Sequence, residues 1–474
     1  MRKKLIINTL LYTVLPKLPV LASLFVLPLI TPYLTLNDYG RYGLIIAYYS
    51  AFAMFVTLGQ NVILQNSYFE HGKYFNLVWS RAYGIMTAGS IFISIILAVI
   101  FFFLLGSRFS SEYWLVTGMF VIALLCSPID TIAQVFYVMR EQPMPLAIRS
   151  IIMGILNATV VFVTIKYFKL GYIGWVIGMA VNGVVSLGFY LYPICIKNCI
   201  YPMLYFKKEQ ARAFLRVGLP LLPHSLSMYI FNTSDRVLLD FFKVSVRDIG
   251  LYSQGYGLGA NGMVLMNGLF SALGRTLQEG FRNKTAADRQ KLRKLVLITV
   301  FGTGVLFFNC ALWMKEIYLF LFRNPELQTG YPVAMIVIMS YAFFSLYNFA
   351  AYPLIIKSRT KMIAYISMCA AIANLALNVI FIPMYGIWTT LCTTYLSFII
   401  WGIVGVFVKD AHTELAWLFP RITRVYILFV LYGVIITCLA WLLRDIFWMG
   451  KLIISGLSCV SAWFAWKYLA KSFF

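Results

Sequence analysis

Leu15-Pro16-Lys17-Leu18-Pro19, leading to Asp38-Tyr39-Gly40-Arg41-Tyr42, recurs as Leu219-Pro220-Leu221-Leu222-Pro223, leading to Asp248-Ile249-Gly250-Leu251-Tyr252. Each copy frames a long apolar segment, so the chain reads as two related membrane-embedded halves with a substrate path expected between them. The second copy departs from the first at its prolines, where Lys17 aligns with Leu221 and a charge is lost. They lie an even number of apolar segments apart and so enter the membrane in the same direction, which makes the halves parallel repeats about an axis along the membrane normal. A second echo supports the repeat: Asn157 followed by Gly171-Tyr172-Ile173-Gly174-Trp175 resembles Asn374 and Asn378 followed by Tyr385-Gly386-Ile387-Trp388.

Of 474 residues 61% are hydrophobic and 12% charged, and the mean hydropathy is +0.83. A water-soluble chain could not hide that much apolar surface, so this is an all-α, polytopic membrane protein. Apolar runs long enough to span a bilayer fall at roughly 10–34, 42–64, 82–105, 113–138, 146–166, 170–195, 213–242, 250–274, 294–314, 331–356, 362–383, 386–408, 424–443 and 450–468, about fourteen in all. The expected organisation is an N-lobe over 1–210, a C-lobe over 211–410, each of six helices, and a C-terminal helix pair over 411–474.

Lys and Arg concentrate in the loops that face the cytoplasm if the N-terminus is inside, so both termini are expected to be cytoplasmic. The net charge of +23 follows from this loop bias and from attraction to anionic headgroups; nucleic acid is not an expected partner. The first apolar run is too long for a cleavable signal and is expected to remain as a span. Eight cysteines are scattered through apolar segments, and His71, His224 and His412 lie far apart. No metal or other cofactor is expected. The connecting segments are short and contain neither a D-x-D nor a G-x-x-x-x-G-K-[ST] motif, which weighs against a polymerase or glycosyltransferase and against ATP as energy source, so the chain is not expected to be an enzyme.

Several stretches, taken in order, resemble one family: Pro28-Leu29-Ile30-Thr31-Pro32-Tyr33-Leu34 with Asp38-Tyr39-Gly40, Gly218-Leu219-Pro220-Leu221-Leu222-Pro223 with Ser234-Asp235-Arg236 and Gly250-Leu251-Tyr252-Ser253, and Asn374-Leu375-Ala376-Leu377-Asn378 before Ile382-Pro383-Met384-Tyr385-Gly386. The chain resembles the polysaccharide exporters, the Wzx-type flippases of the multidrug/oligosaccharidyl-lipid/polysaccharide (MOP) superfamily. That resemblance implies two six-helix lobes and two further C-terminal helices. It also implies translocation of an undecaprenyl-pyrophosphate-linked oligosaccharide, an O-antigen or capsule unit or similar, across the bacterial inner membrane by alternating access. The implied partners are the lipid-linked oligosaccharide, membrane lipids and the polysaccharide polymerase machinery. A multidrug or cation antiporter of the same superfamily is the alternative, and it would need a more acidic centre than these residues provide.

A pyrophosphate calls for cations, and sugar hydroxyls call for amide, hydroxyl and aromatic partners. Lys17, charged within the first span, is the leading candidate for the pyrophosphate; its other reading is a side chain snorkelling to the interface. Arg81, Arg149 and Arg275 lie near span ends and are candidates for the mouth where an anionic headgroup enters, against a purely topogenic role. Gln254, Tyr256 and Asn261, in a glycine-rich span, are candidates for sugar contacts, with helix packing as the alternative. Asp235 and Asp130 are acids in apolar settings and candidates for ion coupling. Arg236 is four residues from Asp240, a spacing that predicts an ion pair. Asn374 and Asn378 share a helix face and read first as interhelical glue.

Overall fold

The computed structural model describes residues 18–57, 59–70, 75–105, 112–205, 212, 216, 222–357 and 359–471. Regular structure among them is helical throughout. Helices form here because a backbone in hydrocarbon must satisfy its own hydrogen bonds, and a helix does so within one segment. Nine of the described helical segments are long and apolar enough to cross a membrane, with shorter apolar helices at Leu24–Tyr33 and Trp448–Phe464. The expected spans 42–64, 213–242 and 250–274 meet breaks near Gly59, Thr233 and Ala260.

The chain divides into two compact units, Met1–Tyr229 and Ile230–Phe474. Unit 1 contains α1 (Leu18–Ile30), α2 (Leu36–Thr57), α3 (Gln60–Glu70), α4 (Phe75–Leu105), α5 (Tyr113–Met139), α6 (Pro143–Lys166) and α7 (Ile173–Tyr190), which runs on into a π-helical turn at Leu191–Ile196. The α2–α3 break lies at Gly59, whose φ of 66° leaves the helical region. Helix α5 packs against α4 and α7, and α6 against α1 and α7.

Helix α8 (Leu222–Asn232) carries the chain across the boundary, and α9 (Ser234–Phe241) restarts after Thr233, whose φ of −142° interrupts the span. Unit 2 continues with α10 (Val246–Gly259), α11 (Asn261–Asn283), α12 (Ala286–Leu312), α13 (Met314–Leu321), α14 (Tyr331–Ser340), α15 (Phe344–Ile356), α16 (Thr360–Tyr385), α17 (Ile387–Phe407), α18 (Lys409–Leu418), α19 (Ile422–Leu443) and α20 (Trp448–Lys471). Helix α17 packs against α15 and α16, α10 against α14, and α19 and α20 both pack on α12.

The repeated motif has a structural meaning in both units. Thr35 precedes α2, and its Oγ1 accepts from Asp38 N at 3.2 Å while Asp38 Oδ2 accepts from Thr35 N at 2.9 Å. Ser245 precedes α10 in the same way, with Asp248 N donating to Ser245 Oγ at 3.1 Å and Ser245 Oγ donating to Asp248 Oδ2 at 2.6 Å. The repeated acids therefore serve the exposed N–H groups of a helix start, where a carboxylate also suits the helix dipole. Asp38 also accepts from Tyr172 N at 3.1 Å, fastening the loop before α7. The paired prolines are only partly visible: Lys17 and Leu219–Leu221 lie outside the described residues, while Leu18 and Pro19 open α1 and Leu222 and Pro223 open α8.

The last helix is held by polar contacts at helical spacing. Lys451, fully buried, pairs with Glu316 at 2.7 Å; Trp313 Nε1 donates to Ser455 Oγ at 2.9 Å, and Asn309 Nδ2 to Ser458 Oγ at 3.0 Å. In a bilayer, where apolar surface gains nothing by leaving lipid, such hydrogen bonds and close packing hold helices together. The opposite face of α20 exposes Leu452, Ile453, Leu457, Val460 and Phe464, as a lipid-facing helix should.

Candidate functional site

Among the described residues, one gathering of polar side chains within the apolar helices of each unit includes a buried or cavity-lining carboxylate. In unit 1 they surround a cavity of about 350 Å3. Helix α6 supplies Leu146, Ser150, Met153, Gly154, Asn157 and Ala158, α5 supplies Asp130 and Gln134, and α7 supplies Asn182 and Tyr190. The α6 contribution follows i, i+3, i+4, i+7 spacing, so a small and polar stripe on one helix face forms a wall.

Local chemistry sets the geometry of this wall. Pro128 removes the N–H that would bond to Leu124 O, and Ser127 Oγ takes that acceptor at 2.8 Å, so α5 passes Asp130 with its backbone satisfied. The Asp130 carboxylate accepts a hydrogen bond from Ser186 of α7. Gly178 leaves room for Asn157, whose Oδ1 would stand 2.7 Å from a Cβ placed there. Arg149 sits behind the wall, bonded to the Tyr137 hydroxyl and with its guanidinium carbon 5.1 Å from the ring centroids of both Tyr137 and Tyr190. The structure thus brings Asp130 and Arg149 to the neighbourhood of one residue, Tyr190, a juxtaposition their sequence separation hides. One acceptor is left over: Asn182 Oδ1 is buried with no hydrogen-bond partner among the described residues.

In unit 2 the polar groups close on one another. Asp235, in the first turn of α9, is fully buried. Its Oδ1 accepts from Asn378 Nδ2 at 2.8 Å, and its Oδ2 accepts from the Tyr252 hydroxyl and from Thr394 Oγ1 at 3.3 Å. Asn378 Nδ2 also reaches Asn374 Oδ1 at 3.1 Å, and Thr393 Oγ1 donates to Asn378 Oδ1 at 2.6 Å. Helices α9, α10, α16 and α17 thereby share one network, and the interhelical reading of Asn374 and Asn378 matches these contacts. Among the described residues, Asn374 Nδ2 is left within it as a buried donor without a partner.

Arg236 turns away from the expected Asp240. Its Nη1 donates to Asn232 O at 2.8 Å and its Nε to Ser253 Oγ at 3.2 Å, with the guanidinium carbon 4.6 Å from the Tyr256 ring centroid. The Thr233 break explains this, because it frees carbonyls at the end of α8 that a guanidinium can satisfy.

The other residues singled out from sequence occupy varied settings. Gln254 is buried, with Nε2 donating to Leu327 O at 3.1 Å and Oε1 accepting from the Tyr318 hydroxyl at 3.4 Å. Tyr256 is buried beside Arg236 and donates to Phe231 O at 3.2 Å. Asn261 bonds to Leu258 O at 2.9 Å where α10 gives way to α11. The glycines of α10 serve packing: a Cβ at Gly255 would lie 2.4 Å from Val333, and one at Gly259 2.8 Å from Val337. Arg81 is half-buried on α4; the Arg275 side chain, like Lys17, lies outside the described residues. Gln134, Asn182, Ser186 and Tyr190 were missed by the sequence reading. Their only signal was polar residues recurring at helical spacing within spans.

Comparison with known proteins places this architecture. The chain from residue 5 to 274 matches the family model described as "Polysaccharide biosynthesis protein". No curated protein matches in sequence. Among solved structures, the lipid II flippase MurJ in an inward closed conformation is similar with a TM-score of 0.64 at 16% identity, covering 91% of this chain and 98% of that one. An inward-facing multidrug resistance MATE transporter of the MOP superfamily follows with 0.61 at 13% identity, covering 87% and 98%. A MOP superfamily transporter from Pyrococcus furiosus gives 0.56 at 14% identity, covering 87% and 95%. These identities speak to fold alone. With the family matched over more than half its length and the fold shared nearly end to end, the chain belongs to the polysaccharide biosynthesis protein family and has the helical fold of the MOP transporters.

Proposed function

We propose that this protein is a flippase that moves an undecaprenyl-pyrophosphate-linked oligosaccharide from the cytoplasmic to the outer leaflet of the bacterial inner membrane by alternating access, with both termini in the cytoplasm. The observation that carries this reading is the family match over residues 5–274. The polar cavity beside Asp130 is in keeping with it, because a carrier of sugars needs hydrogen-bonding groups at membrane depth. The cargo belongs with O-antigen or capsule assembly, and the polymerase that consumes it would act next.

Lys17 is assigned to the pyrophosphate, with Arg81, Arg149 and Arg275 guiding the anionic headgroup. Asp235 is the leading candidate for ion coupling, since a buried carboxylate ringed by amide and hydroxyl groups from four helices responds to gain or loss of a cation by repacking all of them. Asp130 is the second. An anionic headgroup moving outward also gains about 2.3 kcal/mol per charge per 100 mV of inside-negative potential.

The test is reconstitution: purified protein in liposomes loaded with lipid-linked oligosaccharide extracted from cells that carry the gene, with outer-leaflet sugar read by a lectin. Flipping above protein-free liposomes is expected. Efflux of cationic dyes without any lipid-linked sugar movement would replace the flippase by the antiporter.

A further inference from the structure

We propose that the unit 1 cavity between α5, α6 and α7 is a glycan subsite that holds one sugar residue of the cargo and selects it, with Asn157 and Asn182 as its specificity-determining residues. This rests on the flippase reading above. The residues expected from sequence to meet sugar, Gln254 and Tyr256, are buried and spend their polar atoms on Leu327 O, Tyr318 and Phe231 O. The unit 1 cavity has room and unspent hydrogen-bonding capacity.

Three observations point to a polyhydroxylated ligand. First, the lining combines one carboxylate, Asp130, three carboxamides, Gln134, Asn157 and Asn182, the Ser150 hydroxyl and the Tyr190 ring. Carboxamides both donate and accept, as sugar hydroxyls do, and an aromatic ring supplies an apolar contact for sugar C–H groups. Second, Asn182 Oδ1 is buried without a partner among the described residues. A buried acceptor left unmade is unfavourable, and a turn of the Asn182 carboxamide toward a hydroxyl donor in the cavity relieves it. Third, the volume of about 350 Å3 falls in the range of roughly 300–1,000 Å3 of small-molecule sites. It is much larger than the oxygen cage that a metal ion draws together at about 2.3–2.6 Å. The supports are built in: Ser186 holds Asp130, Gly178 makes room for Asn157, and Tyr137 with Arg149 backs Tyr190.

The experiment uses the full chain in nanodiscs of phosphatidylethanolamine and phosphatidylglycerol with two probes, bare undecaprenyl pyrophosphate and the lipid-linked oligosaccharide extracted from cells that carry the gene. The wild type is expected to bind the glycosylated carrier more tightly than the bare one. Asn157→Ala and Asn182→Ala should each lower affinity for the glycosylated carrier about tenfold, the order of loss when a polar contact is deleted, and leave bare-carrier affinity unchanged. Ala158→Phe, which fills the cavity without removing a polar group, should do the same, and thermal unfolding confirms that each variant is folded. Equal losses for both carriers, or no loss for either, overturn the subsite while leaving the flippase reading intact. A wild type that binds neither carrier overturns both. A sodium-dependent rise in thermal midpoint that Asn182→Ala abolishes, with no preference for glycosylated carrier, identifies a cation site and overturns the proposal.

Discussion

Asp130 and Asp235 are each an acid within an otherwise apolar helix, and their surroundings differ in kind. Asp235 is fully buried and accepts from Tyr252, Asn378 and Thr394, three donors on three helices. Asp130 accepts from Ser186 and borders a cavity of about 350 Å3. In unit 2 the polar groups complete one another and become a structural joint whose protonation or ion occupancy would be felt by every helix that shares it. In unit 1 they are left facing empty volume, which suits a ligand. Apolar helices can thus carry similar acids to different ends, because what packs opposite decides whether an acid is sealed or open.

The largest expected effect breaks the joint. Asp235→Leu leaves three buried donors unmet, a cost on the order of 3–5 kcal/mol that should empty the monodisperse peak in detergent chromatography. Asp130→Leu strands only Ser186 beside a polar cavity and should keep the peak; equal collapse of both variants would erase the contrast between the units. Asp235→Asn preserves shape, so it should fold yet lower surface polysaccharide by roughly tenfold or more. Unaltered transport by this variant across a range of pH would remove Asp235 as an ion carrier.

Accessibility sharpens the same comparison without touching activity. In a background freed of the eight native cysteines, Asn157→Cys should react with a small polar maleimide at least roughly tenfold faster than Asn378→Cys, because the buried network must open before reagent enters. Comparable rates would mean that the unit 2 network is not sealed.

The smallest effect lies at the loop level of unit 2. Glu414 accepts from Lys284 at 2.8 Å and Lys357 at 2.9 Å, joining α18 to the ends of α11 and α15. Burial pushes the Glu414 carboxyl up, but the two ammonium groups outweigh it and hold it below its ordinary value. A lowered folded-state value means the stabilisation is present above the unfolded value and is lost as pH falls through the folded one. Glu414→Gln should therefore lower stability by about 1 kcal/mol at neutral pH, discounted for the solvent around both lysines, and flatten the acid limb of the unfolding curve. It should leave the unit 1 cavity unaffected.

Much of the fold was legible because hydropathy length and hydrogen-bond satisfaction dictate membrane helices almost without reference to tertiary contacts. The α8–α9 and α10–α11 breaks were not, since no proline marks Thr233 or Ala260, and the side chains that serve the freed carbonyls, Arg236 and Asn261, show that role only in the folded chain. The Thr35-x-x-Asp38 and Ser245-x-x-Asp248 caps were present in the repeat, but their meaning depended on where the helices begin. At the site, Asp130 stood out because charge in an apolar span is costly, and Arg149 because a basic residue near a span end can meet an anionic headgroup. Asn182 did not, because a lone amide in a span looks the same whether it is bonded or orphaned.

By itself the sequence determined the membrane class, the helical character of the chain, the repeated motif and the family resemblance, all of which follow from local hydropathy and residue order. Only the tertiary structure decided that Arg236 serves the end of α8, that Gln254 and Tyr256 are spent on packing, and that Asp235 is sealed while Asp130 borders open volume. Those outcomes depend on what lies across from each side chain. Hydrogen-bond partners more than a hundred residues away, such as Asn378 for Asp235, cannot be read from local spacing.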